Sequence, residues 1–416
     1  MQDLPEMDQA PLKQDRVVET PVAGFSAGAV AAGLRKDGRI DLALIAGDGA
    51  YPAAAVFTKN RLAAAPVQVA RRHMESGKLR AVLANSGGAN AATGAKGIGA
   101  SLATCQAAGE ALGCPPEEIL PCSTGVIGQL LPAEKIAAAL PGLSVSLSPE
   151  GLPQAAGAIM TTDAFKKMAQ ATVTIQDRPV TVVGLAKGAG MIHPDMATML
   201  AYVLTDAAAS AVALQKALRI AVDLSFNRAS VDGDTSTNDT LLLWASGKAD
   251  NTELQPDDPE LAVLAAAVTK VCQELAAMLV ADGEGAGHLL RVVVTGAESD
   301  DAARHTAFAI AHSPLCKTAF AGRDPNWGRL LSTAGAEAAR RELGFDENKC
   351  CLWIGDALIA ENGVYTSAQA EADAAQVMKR ERYQIRLDLG LGQGQFWVFT
   401  SDLDHKYIDI NADYRS

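Results

Sequence analysis

Thr198 is the residue whose sequence context most directly suggests chemistry. It follows a turn shaped by Gly188, Gly190 and Pro194, because glycine reaches backbone angles that other residues avoid and proline fixes φ. Small and apolar residues flank its hydroxyl. The pattern alone fits either a β-branched residue that opens a buried strand or a hydroxyl nucleophile. The second interpretation requires a base, since a protonated threonine hydroxyl is a weak nucleophile.

Other polar segments also have a structural and a chemical interpretation. By itself, Ser123–Thr124–Gly125 is typical of a plain turn in which glycine supplies an unusual backbone angle. Lys187 and Glu284 are by themselves typical of surface or helix-end charges. The segment 231–239, VDGDTSTND, alternates acidic and polar residues as a calcium loop does. Its glycine is misplaced and the terminal glutamate is missing, so we expect a polar loop between two strands.

Length and composition restrict the class of protein. A chain of 416 residues predicts two or three structural units. An apolar fraction of 49% with only 5% aromatic residues predicts a core of Ala, Val, Leu and Ile. The net charge of −12 argues against nucleic-acid binding, which needs clustered Lys and Arg. The one basic cluster, KRER at 379–382, is predicted to be an exposed helix face.

The cysteines and the N-terminus indicate a soluble cytoplasmic protein. Seven cysteines at irregular spacing, without CxxC, predict reduced thiols and neither a disulfide framework nor a metal site. Residues 1–16 are polar and acidic, lack the apolar core of a signal peptide, and are predicted to be a loose tail. Charges interrupt the Ala-rich segments too often for a membrane span.

Apolar periodicity predicts the elements that position these residues. Predicted strands cover 41–46, 53–57, 79–83, 180–185, 241–244, 290–295, 351–354, 384–389 and 395–399. Predicted helices cover 67–74, 97–112, 132–139, 153–160, 208–224 and 260–280. Helices and strands alternate without a regular βαβ pattern or an internal repeat. We therefore expect a layered α/β fold rather than a doubly wound sheet.

Several motifs together resemble the ornithine acetyltransferase / glutamate N-acetyltransferase family of arginine biosynthesis. They are VFTKNRLAAAPV, STGVIGQLLP, MTTD, KGAGMIHPDMATML, SFNRASVDGDTSTNDT, DGEGA, GRDPNWGR and YIDINADY, and they span nearly the whole chain in the family's order. The resemblance implies an α/β/β/α-type sandwich shared with self-processing aminopeptidases, plus a C-terminal α/β domain. It also implies self-cleavage between Ala197 and Thr198, which gives chains 1–197 and 198–416.

The resemblance assigns roles to named residues. Thr198 is the expected nucleophile, and Thr124 with Gly125 is the expected oxyanion hole. The expected substrate-binding residues are Thr161, Lys187, Thr198, Glu284, Asn411 and Ser416. No role as base is given to His193, because family members commonly carry another residue there. After cleavage, the α-amino group of Thr198, whose reference pKa is about 7.7–8.0, would be the base.

The implied reaction is a ping-pong transfer of acetyl from N-acetylornithine to glutamate through acetyl-Thr198, without metal or organic cofactor. Family members assemble as pairs of cleaved heterodimers, so a heterotetramer is expected. We favour the bifunctional class, in which acetyl-CoA also donates, although no residue supports that choice. A self-processed amidase or aminopeptidase that transfers the acyl group to water, and a non-catalytic binding protein, are the alternatives.

Overall fold

The structure, a computed structural model, describes residue 4, residues 11–193 and residues 199–412. The chain divides into two compact units. The larger unit comprises Gln14–Asn227 and Asp234–Leu275. The smaller unit comprises Met1–Lys13, Arg228–Gly233 and Ala276–Ser416. The two units are defined by the contacts between residues. The division into chains 1–197 and 198–416 concerns cleavage of the chain and stays a prediction.

The helices and strands are numbered in chain order. The strands are β1 (Phe25–Val30), β2 (Leu42–Phe57), β3 (Lys78–Asn85), β4 (Ile119–Ser123), β5 (Lys167–Ile175), β6 (Arg178–Lys187), β7 (Leu200–Thr205), β8 (Ala229–Ser230), β9 (Thr240–Ala245), β10 (Leu289–Ala297), β11 (Cys351–Ile354), β12 (Ala357–Glu361), β13 (Val364–Tyr365), β14 (Arg382–Asp388) and β15 (Gly394–Ser401). The helices are α1 (Ala65–His73), α2 (Gly94–Leu112), α3 (Ala133–Val145), α4 (Leu152–Ala158), α5 (Ala211–Asp223), α6 (Leu261–Ala281), α7 (Asp300–His312), α8 (Pro314–Gly322), α9 (Trp327–Arg341), α10 (Ala368–Val377) and α11 (His405–Ala412).

The strands of the larger unit pair in the order β4-β3-β2-β9-β7-β6-β5, and β1 also pairs with β2. The long strand β2 joins two layers. Its first part pairs with β1 and β3, and its last part, Ala53–Phe57, pairs with β9. A register shift between Ala46 and Tyr51 separates the two parts. Residues predicted as two strands therefore form one.

Alternation along the strands assigns the layers of the larger unit. In β2, Ala43 and Ile45 share a buried core with Tyr202 of β7 and Trp244 of β9, so this face lies between the two layers. The alternate residues, Leu42 and Leu44 among them, pack against α2 and α3.

The second layer is covered by a helix on its own outer face. A Cβ atom added at Gly184 of β6 would lie 2.6 Å from Val271 of α6, whereas Val183 and Leu185 point into the core between the layers. The order is helix, sheet, sheet, helix. The predicted α/β/β/α sandwich is confirmed.

The smaller unit contains a seven-stranded sheet in the order β13-β12-β11-β14-β10-β15-β8. Residues of α7, α8, α9 and α10 share one buried core with its strands. Serines begin α7, α8 and α10, where each hydroxyl accepts a backbone N–H of the first turn. The C-terminal α/β domain is confirmed.

Two local predictions are wrong. Residues 379–382 are not a helix face, because α10 ends at Val377 and Arg382 begins β14. Alternate residues of β14 are buried, as is typical of a strand with one face against a core, and Arg382 is the first residue of this strand. The described part of the N-terminal tail is also not loose. Leu12 is buried and its N–H donates to Glu381, while Arg16 pairs with Lys166 through backbone groups.

Helix α6 is long and apolar enough to cross a membrane by length and composition alone. However, 61% of its most apolar 18-residue window is buried in the protein. A core helix of a soluble protein passes the same test, and Gly184 of the sheet packs closely against Val271 and Leu275 of this helix.

Candidate active site

The structure brings together four of the residues predicted to form the site. Thr124 and Gly125 follow β4, Thr161 lies after α4, and Lys187 ends β6. All four belong to the larger unit. Glu284 and Asn411 lie in the smaller unit. Ala197, Thr198 and Ser416 are outside the described residues.

Lys187 is the donor and Thr124 the acceptor in the hydrogen bond between their side chains. The Lys187 Nζ atom lies 3.1 Å from Thr124 Oγ1, and both side chains are buried. An ammonium group has donors only, so the threonine oxygen must be the acceptor. The hydroxyl proton of Thr124 then remains available for another acceptor. A hydroxyl held in this way is suited to stabilising a developing oxyanion.

The turn that carries Thr124 and Gly125 is fixed from two sides. The Thr124 N–H donates to the carbonyl of Asn85 at 2.9 Å, and the Ser123 hydroxyl donates to the Asn85 side chain at 2.6 Å. Asn238 donates to the carbonyl of Ser123 at 2.8 Å. Gly125 has φ of +129°, and a Cβ atom there would lie 2.9 Å from the Gly88 nitrogen. Only glycine fits this position without displacing the facing backbone.

Asp163 connects two parts of the site and was given no role from the sequence. Its carboxylate accepts the Thr161 N–H at 2.9 Å, the Gly188 N–H at 2.6 Å and the Lys167 ammonium at 2.7 Å. Burial would raise its pKa, but the ammonium groups of Lys167 and Lys187 and its hydrogen bonds hold the pKa below the usual value. The MTTD motif and the Asp-x-x-x-Lys spacing were the available signals.

Asp239 was also missed, since the sequence placed it in a polar loop. Its Oδ1 atom accepts the Met199 N–H at 3.0 Å, and the residue is 0% exposed. Burial raises the pKa of this carboxyl well above its ordinary value, against smaller opposing effects of the Met199 N–H and the Lys187 ammonium. A buried carboxyl with a raised pKa therefore holds the backbone of Met199, the second residue after the predicted cleavage point.

In the smaller unit, Glu284 and Asn411 contact each other directly. The Asn411 side-chain amide donates to Glu284 Oε2 at 2.8 Å. Asp402 fixes the loop that follows Glu284 by accepting the N–H groups of Gly287 at 2.8 Å and His288 at 3.0 Å. Its other oxygen lies 2.9 Å from His288 Nδ1. Two distant parts of the sequence thus meet here, while the substrate-binding role of Glu284 and Asn411 stays a prediction.

The cysteine thiols and the possible metal ligands are the remaining groups that could take part in a reaction. All seven cysteines are free thiols. Burial raises the pKa of Cys105, Cys122 and Cys272 to about 12, which keeps these thiols protonated and unreactive. Within 11–193 and 199–412, no group of three or more His, Cys, Asp or Glu residues could hold a metal ion. The described geometry is that of a turn at Thr124 and Gly125 whose threonine hydroxyl accepts a hydrogen bond from a buried lysine.

Comparison with known proteins identifies the family. A model of the ArgJ family matches residues 26–416. The arginine biosynthesis bifunctional protein ArgJ of Methylococcus capsulatus is 44% identical over 396 residues, 95% of this chain and 96% of that protein. The protein of the same name from Geobacter sulfurreducens is 44% identical over 395 residues, 95% of this chain and 100% of that protein.

A solved structure adds a more limited match. The ornithine acetyltransferase from Mycobacterium tuberculosis, solved in complex with ornithine, is 39% identical to this chain. The match covers 44% of this chain and 95% of that one, with a TM-score of 0.39. The family model and the two full-length relatives are sufficient by themselves: this chain belongs to the ArgJ family.

Proposed function

We propose that this protein is a glutamate N-acetyltransferase of arginine biosynthesis that transfers acetyl from N-acetylornithine to glutamate. Its relatives are named for arginine biosynthesis, and the matches cover 96% and 100% of their length. The observation that carries the proposed chemistry is the bond from Lys187 to Thr124 Oγ1, which leaves the threonine proton available for an oxyanion.

The nucleophile is Thr198, released by self-cleavage of the Ala197–Thr198 bond into chains 1–197 and 198–416. The new α-amino group takes the proton of the Thr198 hydroxyl as the oxygen attacks the acetyl carbonyl. Thr124 and the N–H of Gly125 stabilise the oxyanion. Ornithine leaves with that proton, and the amine of glutamate then attacks the acetyl ester, which regenerates the Thr198 hydroxyl.

The charged groups of the two substrates determine which residues we propose to bind them. Both amino acids carry an α-carboxylate, for which Lys187 supplies a cation. Glu284 supplies an anion for the side-chain ammonium of ornithine, and its contact with Asn411 holds it in place. Thr161 and Ser416 complete the proposed set. We further propose a cytoplasmic heterotetramer of two 1–197 and two 198–416 chains, with acetyl-CoA as a second donor.

Labelled acetyl provides the test. N-acetylornithine labelled in its acetyl group should leave label on the 198–416 chain when glutamate is omitted, and two-substrate kinetics should give parallel double-reciprocal lines. Thr198→Ala should abolish cleavage and transfer, and Thr124→Ala should slow transfer by about a hundredfold or more. Replacing acetylornithine with acetyl-CoA tests the second donor.

Three results would contradict the proposal. Hydrolysis of acetylornithine without preference for glutamate over water would indicate an amidase. A Thr198→Ala variant with near wild-type turnover would exclude the nucleophile. A full-length, uncleaved protein with full activity, seen by intact mass, would exclude maturation by self-cleavage.

A further inference from the structure

The hydroxyl of Ser86 is a buried polar group that the mechanism above does not use. Ser86 directly follows β3 and is 3% exposed. Its N–H donates to the Asp41 carbonyl at 3.0 Å, which continues the pairing of β3 with β2 by one residue. Among the described residues, its hydroxyl oxygen has no hydrogen-bond partner although it is buried. An unpaired buried polar group costs free energy, so its presence calls for an explanation in function.

Strand alternation directs the Ser86 side chain to the face between the two sheet layers. In β3, Val82 and Ala84 lie in the core between the layers, whereas Leu83 packs against the helices on the other face. Ser86 follows Ala84 by two residues, and its N–H keeps the position that the ladder requires. Its side chain therefore lies on the same face as that of Ala84.

The Thr124 side chain lies on this face as well. In β4, Leu120 and Cys122 belong to the core between the layers. Thr124 follows them with the same alternation, and its hydroxyl accepts from Lys187, which belongs to the opposite layer. Thr124 and Lys187 are themselves only 9% and 4% exposed. Ser86 is thus about as deeply buried as two residues already proposed for the site.

The pairing of β3 with β4 brings the hydroxyls of Ser86 and Thr124 close together. The two strands are parallel neighbours in which Asn85 lies opposite Ser123. The Thr124 N–H donates to the Asn85 carbonyl at 2.9 Å, so the next two residues, Ser86 and Thr124, also lie opposite each other. Neighbouring strands are separated by about 4.8 Å. An oxygen atom placed between the two side chains is therefore within hydrogen-bond distance of both hydroxyls.

The loop that begins at Ser86 also contacts the second half of the predicted oxyanion hole. A Cβ atom added at Gly125 would lie 2.9 Å from the Gly88 nitrogen and 3.3 Å from the Gly87 carbonyl carbon. The Asn85 side chain donates to the Gly88 carbonyl at 3.0 Å, which fixes the loop in this contact. Ser86 therefore lies beside both groups that are proposed to stabilise the oxyanion.

We propose that Ser86 is a third hydrogen-bond donor of the oxyanion hole, an inference that rests on the acetyl transfer proposed above. As the acetyl carbonyl carbon becomes tetrahedral, its oxygen gains negative charge and accepts hydrogen bonds from the Ser86 hydroxyl, the Thr124 hydroxyl and the Gly125 N–H. The serine keeps its proton, and no bond to Ser86 is formed or broken. The same donors serve both half-reactions, because each passes through an oxyanion on the acetyl group.

The decisive variant is Ser86→Ala. Its kcat for acetyl transfer from N-acetylornithine to glutamate should be about a hundredfold lower, the effect of removing one oxyanion donor. KM for N-acetylornithine should not change, because the donor acts on charge that develops only in the transition state. The melting temperature should equal or exceed that of the wild type, since the variant removes a buried hydroxyl that has no partner. A purely structural role would not combine lost activity with retained stability.

The matched control is Ser225→Ala. Ser225 is also a serine of the larger unit and is 0% exposed, but its hydroxyl donates to the carbonyl of Ala221. This variant loses a hydrogen bond that is present in the fold. Its melting temperature should therefore fall, while its kcat should remain that of the wild type.

The outcomes distinguish this inference from the proposed function. A wild-type protein that transfers no acetyl would overturn the proposed function itself. With an active wild type, three results for Ser86→Ala would overturn only the role of Ser86. They are a wild-type kcat, a raised KM at unchanged kcat, which would indicate binding of the ground state, and a melting temperature well below that of the wild type, which would show that the hydroxyl supports the fold.

Discussion

The ion pair between Asp163 and Lys167 gives the strongest test of how the site is held. The pair is 2.7 Å long and both side chains are fully buried. Asp163→Asn would remove the carboxylate partner of the buried Lys167 ammonium, and removing one partner of a buried pair costs about 3–5 kcal/mol. For a unit of this size, that corresponds to a melting temperature about 6–20 °C lower.

Asp163→Asn should reduce acetyl transfer even at temperatures at which the variant is folded. The two oxygens of Asp163 serve three donors, those of Thr161, Gly188 and Lys167. Asparagine has one oxygen, and its NH₂ group would confront one of these donors. The assay is acetyl transfer measured well below the melting temperature. The double variant Asp163→Asn with Lys167→Met should recover stability, because the buried Lys167 charge is gone, but it should not recover activity.

The matched control is Asp37→Asn, whose carboxylate pairs with Arg35 and Arg39 at the surface. Its melting temperature should not change, since exposed ion pairs contribute little. The lowered pKa of Asp163 also determines how stability changes with pH. The contribution of its carboxylate to the free energy of unfolding is complete above pH about 4, and it is lost as pH falls through the lower folded-state pKa. If Asp163→Asn melts with the wild type, the buried pair does not hold the site.

Two further predictions concern backbone geometry and pH. Gly125→Ala should reduce transfer by about a hundredfold or more, because its Cβ would meet the Gly88 nitrogen. Gly128→Ala, at φ of +89° but with open space around it, should retain most activity in the same assay; equal losses would refute the steric argument. Burial lowers the pKa of Lys317 from 10.5 to about 8. The stability of the wild type should therefore rise relative to Lys317→Met between pH 8 and 10.5, measured by denaturant titration. Parallel pH profiles would contradict this.

The sequence predicted best those features that depend on local periodicity. Helix α6 was predicted at 260–280 and lies at Leu261–Ala281, since a long apolar helix has an unambiguous pattern. Strand β2 was divided in two because its glycines and proline, in GDGAYP, are typical of a turn. The strand continues there because β1 and β3 pair with its first part and β9 with its last.

The roles of Asp163 and Asp239 could not be read from periodicity. Asp163 acquires its role from Gly188, 25 residues away, and Asp239 from Met199, 40 residues away. Such contacts depend on which strands become neighbours. In VDGDTSTND, Asp232, Asp234 and Asp239 are chemically identical, and only burial at the start of β9 distinguishes the last of them. Family motifs gave the residues that are proposed to contact substrate, but they gave no role to Asp163 or Asp239.

The strand order of the larger unit has a consequence for maturation. Cleavage before Thr198 would assign β1–β6 to one chain and β7 and β9 to the other. In the sheet, β7 and β9 lie together between β2 and β6, so the second chain is inserted into the first on both sides. A cut in the folded protein leaves the six residue pairs of β6 with β7 and the five of β2 with β9 in place.

The same chains synthesised separately would each begin with unpaired strand edges, which promote aggregation, and two isolated strands are marginally stable in water. Assembly would also become a bimolecular search. If the chain is cleaved before Thr198, this strand order requires that it folds first, and neither part could then leave without breaking the pairing of β6 with β7 and of β2 with β9.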